Sequence, residues 1–168
     1  MPNFSTVVVI PTYNEADSLK KLLPELLEID VDILIVDDSS SDGTIEVAEK
    51  LNATNRISFI SRPSKLGLGS AYLAGFKRCL ELGYENIIQM DADGSHQVKD
   101  LARMREALRT NQGVDLVIGS RWIPGGKVEN WAKRRELLSR TANKYSKAIL
   151  GTKVNDMTAG FRIYRATL

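Results

Sequence analysis

The chain has 168 residues, 43% of them hydrophobic and 26% charged, the make-up of an ordinary one-domain globular protein. No apolar run approaches the roughly 20 residues that span a bilayer, the first residues lack the basic start and apolar core of a secretory leader, and the single Cys79 excludes an internal disulfide, so a cytoplasmic chain in a reducing compartment is expected. Net charge is +2 but uneven: residues 1–120 hold 12 Lys+Arg against 18 Asp+Glu, and residues 121–168 hold 11 against 3, which suggests a metal side and an anion side. The basic residues come without aromatic interleaving or a nucleic-acid motif, so no nucleic-acid partner is expected; a lipid phosphate or an anionic membrane surface suits them as well.

Thr6-Val7-Val8-Val9-Ile10 is β-branched and apolar throughout and ends at Pro11, which reads as a parallel strand buried on both faces. Leucines at 19, 22, 23, 26 and 27 give residues 15–28 a helical face, with Pro24, a residue that kinks helices, inside it. Ile33-Leu34-Ile35-Val36 is a second strand ending in Asp37-Asp38; a Ser-rich loop and a helix to about Leu51 follow. Residues 56–60 form a third strand, 69–82 a helix stopped by Gly83, Ile87 to Met90 a fourth strand, and Asp115 to Gly119 a fifth. Between the last two, Leu101, Met104 and Leu108 mark a helix. Beyond Arg121 come a Pro124-Gly125-Gly126 segment with the character of a mobile loop, an amphipathic stretch over 133–150, and a strand-like Phe161-Arg162-Ile163-Tyr164. The alternation predicts an α/β fold, a mostly parallel open sheet with helices on both faces.

Ligands of such sheets bind outside the carboxyl ends of the strands. Polar clusters fall there four times: Pro11-Thr12-Tyr13-Asn14-Glu15, Asp37-Asp38, Asp91-Ala92-Asp93 and Gly119-Ser120-Arg121. Asp91 and Asp93, at i and i+2 on a loop, can hold a hard divalent cation that fills its other positions with substrate phosphate and water. Taken alone, the pair reads equally as an acidic turn closed by Gly94 and Ser95. Asp37-Asp38 also reads as a turn or helix cap. His96, the only histidine, reads more readily as packing beside the loop than as a ligand. In the 133–150 stretch Leu138, Ala142, Tyr145 and Ile149 share one face, and the basic stripe Arg140, Lys144 and Lys147 is either a solvated face or a membrane contact. Arg135 and Ser139 are i, i+4 neighbours able to grip one ligand.

In their order and spacing, Val9 to Glu15, Val36 to Thr44 and Asp91-Ala92-Asp93 resemble the GT-A fold of the family 2 glycosyltransferases. Lys65 to Tyr72, Gly119-Ser120-Arg121 and Lys133 to Arg140 narrow the resemblance to its dolichol-phosphate and polyprenol-phosphate mannosyltransferases. The resemblance runs from residue 7 to 165 and implies a metal-dependent inverting transfer of mannose from GDP-mannose to dolichol or polyprenol phosphate, giving a β-linked lipid phosphate mannose. It implies Mg2+ or Mn2+ as cofactor. It makes Pro11, Tyr13, Glu15, Val36, Asp38 and Ala92 donor-binding, Asp91, Asp93 and more weakly Ser95 metal-binding, Arg121 catalytic, and Arg135 with Ser139 holders of the acceptor phosphate. It further implies a peripheral place at the cytoplasmic face of a membrane, with a membrane-anchored partner subunit or domain. Members carry a further C-terminal basic segment, some with transmembrane helices, so residues 1–168 are expected to be one GT-A domain lacking that segment. UDP-glucose is the alternative donor. A receiver-type signalling domain is the alternative of another class, although its acidic pair follows the first strand and Asp37-Asp38 follows the second.

Overall fold

The computed structural model describes residues 4–123, 133–152 and 154–168, with the side chains of Lys133 and Arg135 left aside. The strands are β1 (Thr6–Thr12), β2 (Asp32–Asp37), β3 (Ile57–Ser61), β4 (Asn86–Gln89), β5 (Leu116–Ile118) and β6 (Arg162–Arg165). The helices are α1 (Ala16–Leu27), α2 (Thr44–Leu51), α3 (Leu68–Glu81), α4 (Val98–Thr110) and α5 (Lys133–Leu150). One six-stranded sheet runs β3-β2-β1-β4-β6-β5. β1 pairs parallel with β2 and β4, and β2 with β3; β6 runs antiparallel between β4 and β5.

The central strands carry side chains that are apolar on both faces, and period-two alternation sorts them. Val8, Ile10, Ile33, Ile35, Ile88 and Met90 face one way and pack with Leu19, Leu22, Leu23 and Leu26 of α1, Ala48 of α2, and Leu101, Met104 and Leu108 of α4. Val7, Val9, Leu34, Val36 and Ile87 face the other way, against Ala71, Tyr72 and Cys79 of α3. The predicted open sheet, mostly parallel and covered on both faces, is therefore present. Cys79 is the buried core thiol expected of it, its pKa pushed up to about 12 by burial.

α1 continues through Pro24. Two details differ from the sequence reading. The fifth strand is confined to Leu116–Ile118, half-buried at the sheet edge. The last strand, Arg162–Arg165, lies between β4 and β5, against the chain order. Gly83 does end α3, at φ +81. Among the described residues no helix is long and apolar enough to cross a membrane.

α3 can lie close on the sheet because Gly75 faces it. A Cβ there would stand 2.4 Å from Cγ1 of Val9 and 3.2 Å from Cγ2 of Val36. β1 has its neighbours β2 and β4 on opposite sides, so the chain parts in two directions from it, and the carboxyl ends of these three parallel strands open onto one crevice.

Candidate functional site

The β1 and β2 ends are stitched together by side chains. Asp37 accepts hydrogen bonds from the Thr12 hydroxyl at 2.7 Å and the Ser40 amide at 2.9 Å. The Asn14 amide donates to Ser40 Oγ at 2.8 Å, and the Ser41 amide to Asn14 Oδ1 at 2.9 Å. Asp42 accepts from the Ala16 amide opening α1 and from the Thr44 amide opening α2, each at 3.0 Å. Asp37 is thus the turn-closing residue of the acidic pair.

Asp38 has a different partner. It is 5% exposed, and Arg62, 7% exposed, grips it with both Nε and Nη2, the latter 2.7 Å from Oδ2. The Leu66 amide donates to the same Oδ2 at 3.0 Å, while Arg62 Nη1 reaches Ser70 Oγ at 2.8 Å. Burial, the largest influence, works to raise the Asp38 pKa; the Arg62 guanidinium and the Leu66 amide overcome it and hold the carboxyl below the usual range. Tyr13 stands 41% exposed at the mouth, with Lys65 Nζ 4.1 Å from its ring centre. Glu15 accepts from the Ser18 hydroxyl at 2.7 Å. Pro11 is half-buried, and the Val36 and Ala92 side chains are packed in the two cores, so these last two can meet a ligand only through the main chain.

Past β4, Gly94 at φ +75 turns the chain so that Asp91 and Asp93 both lie on the loop. Asp91 Oδ1 accepts the Tyr72 hydroxyl at 2.6 Å. Its amide donates to His96 Nδ1 at 3.1 Å, and His96 Nε2 lies 4.0 Å from Oδ2, beyond a hydrogen bond. His96 is stacked on Phe161, with ring centres 4.9 Å apart and planes 7° apart. Burial holds its pKa down against the pull of Asp91 and Asp93, and the Arg121 charge works the same way as burial. His96 packs on Phe161 and accepts the Asp91 amide through Nδ1. Asp93 is exposed; its Oδ1 accepts the Ser95 amide at 2.9 Å.

Arg121 forms a fork on buried Asp156, with Nε–Oδ2 at 2.8 Å and Nη2–Oδ1 at 2.7 Å, and also reaches Thr158 Oγ1 at 2.8 Å. Burial would raise the Asp156 pKa, but the guanidinium holds it down. Ser139 Oγ stands 3.4 Å from the same Thr158 hydroxyl. Arg121 and Ser139, far apart in sequence, thus meet at one residue. The Arg135 side chain, Trp131 and Pro124-Gly125-Gly126 lie outside the described residues.

Asp91 and Asp93 offer carboxylate oxygens, the ligand type that suits a hard cation. Among the described residues no group of three or more His, Cys, Asp or Glu is placed to hold a metal ion. Sequence reasoning gave Arg62 no role and named no partner for Tyr72, Asp156 or Thr158. Arg62 and Tyr72 flank the Lys65-Leu66-Gly67-Leu68-Gly69 run and Asp156-x-Thr158 precedes Phe161, but their partners are set by the fold, not by spacing.

The sequence model of Glycosyl transferase family 2 matches residues 7–168. The polyprenol monophosphomannose synthase of Mycolicibacterium smegmatis is 47% identical over 98% of this chain and 63% of its own length. The undecaprenyl-phosphate mannosyltransferase of Micrococcus luteus is 46% identical over 95% and 66%, and the dolichol-phosphate mannosyltransferase of Pyrococcus furiosus 36% identical over 92% and 44%. The chain thus spans less than two thirds of the length of these curated relatives. Among solved structures, a mannosyltransferase from Pyrobaculum calidifontis in complex with GDP-Man and Mn2+ superposes with a TM-score of 0.66 at 18% identity, over 96% of this chain and 44% of that one. Glucosyl-3-phosphoglycerate synthase from Mycobacterium tuberculosis in complex with UDP superposes at 0.71 and 19%, over 98% and 58%. The structural likenesses speak to fold alone, and the sequence match to descent; together they show that the chain belongs to glycosyl transferase family 2, folded as a GT-A domain.

Proposed function

We propose that this domain transfers mannose from GDP-mannose to a polyprenol or dolichol monophosphate, with a divalent cation, Mg2+ or Mn2+, and inversion at the anomeric carbon. One observation carries the reading: Tyr13, Asp38 and Asp91 converge at the carboxyl ends of β1, β2 and β4 in a chain 47% identical to a polyprenol monophosphomannose synthase. The nucleoside is held by Pro11, Tyr13, Glu15 and Asp38 and by the main chain at Val36 and Ala92. Asp91 and Asp93, with Ser95 as a further contact, hold the cation. When bound, the cation supplies charge stabilisation to the departing diphosphate.

The acceptor is a phosphate monoester, ionised at neutral pH, and needs no general base. One of its oxygens attacks the anomeric carbon while the bond from that carbon to the diphosphate oxygen breaks, and the electron pair leaves with GDP. An α-linked donor then yields a β-linked product. Arg121, Arg135 and Ser139 draw the acceptor phosphate to a second anion that otherwise repels it. The exposed Leu138, Tyr145 and Ile149 of α5, beside Arg134, Arg140 and Lys144, support a membrane surface as the place where the lipid is met. On this reading that surface is the cytoplasmic face, reached with an anchoring partner subunit or domain.

The test is transfer of labelled mannose by the whole protein in Mn2+, with the product anomer read by NMR. GDP-mannose is expected to give β-linked product. Transfer from UDP-glucose alone would move the assignment to the glucosyl reading, and transfer from neither would end it. Asp93→Asn is expected to cut transfer by about 100-fold or more, with the thermal midpoint unchanged because the residue is exposed.

A further inference from the structure

Metal-binding carboxylates need more than ligand atoms. A carboxylate on an exposed loop spins and points at random, and groups behind it commonly fix its direction. Asp91 has such a group. Tyr72, on the second turn of α3, is 6% exposed and lies across the end of β4 with its hydroxyl 2.6 Å from Asp91 Oδ1. The other oxygen, Oδ2, sits against Gly160, where a Cβ would come within 3.0 Å.

The phenol is itself held. Its ring centre is 5.9 Å from that of Phe76, and Phe76 meets Tyr164 edge-on at 5.3 Å. The Tyr164 hydroxyl donates to Gln89 Oε1 at 2.9 Å, at the end of β4. Three aromatic rings thus connect α3 to the strand that leads into the Asp91 loop. An oxygen that accepts one hydrogen bond keeps a lone pair for a cation.

The first turns of α3 hold the other side of the crevice too. Ser70 takes Arg62 Nη1, Arg62 clamps Asp38, and Arg62 Nη2 reaches the Gly67 carbonyl at 3.1 Å. One helix end therefore meets the metal-side carboxylate directly and the nucleoside-side carboxylate through Arg62.

We propose that Tyr72 is a positioning residue for the cation: its hydroxyl fixes the rotation of the Asp91 carboxylate, so that α3 sets the metal ligand and the nucleoside wall in one geometry. This rests on the function proposed above. The test is Tyr72→Phe in the whole protein, with Mn2+-dependent GDP binding followed by calorimetry and unfolding followed by heat in the absence of metal. Tyr164→Phe is the control, because it removes a hydroxyl from the same ring series without touching Asp91.

Tyr72→Phe is expected to weaken apparent Mn2+ affinity by roughly 10- to 100-fold at a metal-free midpoint no lower than that of Tyr164→Phe. Tyr164→Phe is expected to leave Mn2+ affinity unchanged. Wild-type Mn2+ affinity in Tyr72→Phe overturns the proposal, and so does an equal loss of affinity in both variants. No Mn2+-dependent GDP binding in the unsubstituted protein would instead overturn the functional reading beneath it.

Discussion

Asp38 and Arg62 form the most committed ion pair in the crevice, buried on both sides and satisfied by the Leu66 amide, the Gly67 carbonyl and Ser70. Removing the cation alone leaves a buried carboxylate with only backbone amides, Leu66 foremost, to compensate it. Arg62→Leu is expected to lose about 3–5 kcal/mol at neutral pH, measured by urea unfolding. The sign of its pH dependence follows from the depressed Asp38 pKa. In the unsubstituted protein the ionised pair contributes stability above the unfolded carboxyl value of about 3.9, and that contribution is lost as pH falls through the lower folded value. In Arg62→Leu the carboxyl loses its main counter-charge, its folded pKa rises, and protonation relieves it as pH falls. The gap in stability between the two proteins should therefore narrow as pH falls through the carboxyl range; a gap independent of pH would refute the assignment.

Among the elements, α3 bears most on the crevice, and Gly75 sets how near it lies. Alanine gains about 1 kcal/mol of helix propensity over glycine, but its Cβ would fall 2.4 Å from a methyl of Val9, a side chain with no exposed surface on which to retreat. Overpacking of that kind costs about 1–3 kcal/mol, so Gly75→Ala should lower the midpoint of thermal unfolding. Pairing it with Val9→Ala should restore part of the loss. The β-branched runs, the strand ends and the acidic loop were legible in the sequence, because each is a local pattern: Val7 to Ile10 alternate between two cores, and Asp91 and Asp93 share a loop by spacing alone. The Asp38–Arg62 clamp and the Tyr72–Asp91 contact were not legible. Their members stand 24 and 19 residues apart; the parallel pairing of β2 with β3 sets Asp38 beside Arg62, and the close seat of α3 brings Tyr72 to Asp91. The order of the last two strands was hidden for a related reason: nothing in Arg162–Arg165 states a direction or a neighbour.

For the whole molecule, the acidic front and basic tail translate into a surface. α5 exposes Leu137, Leu138, Tyr145, Ile149 and Leu150 on a helix that also carries Arg134, Arg140, Lys144 and Lys147. Binding to vesicles rich in anionic lipid should weaken as the Debye length falls from about 10 Å at 0.1 M salt to about 3 Å at 1 M. Lys144→Gln should lose roughly 1 kcal/mol of that binding, read by flotation; vesicle binding indifferent to salt would count against the electrostatic share. A last consequence concerns synthesis on the ribosome. β3, β2, β1 and β4 can pair as soon as they emerge, but β5 has β6 as its sheet neighbour and must wait for some 45 more residues, a few seconds at ~5–20 residues per second. Until then the nascent chain shows an open flank on β4 and an orphaned apolar strand, and that interval is when an intruding strand or a chaperone would find it.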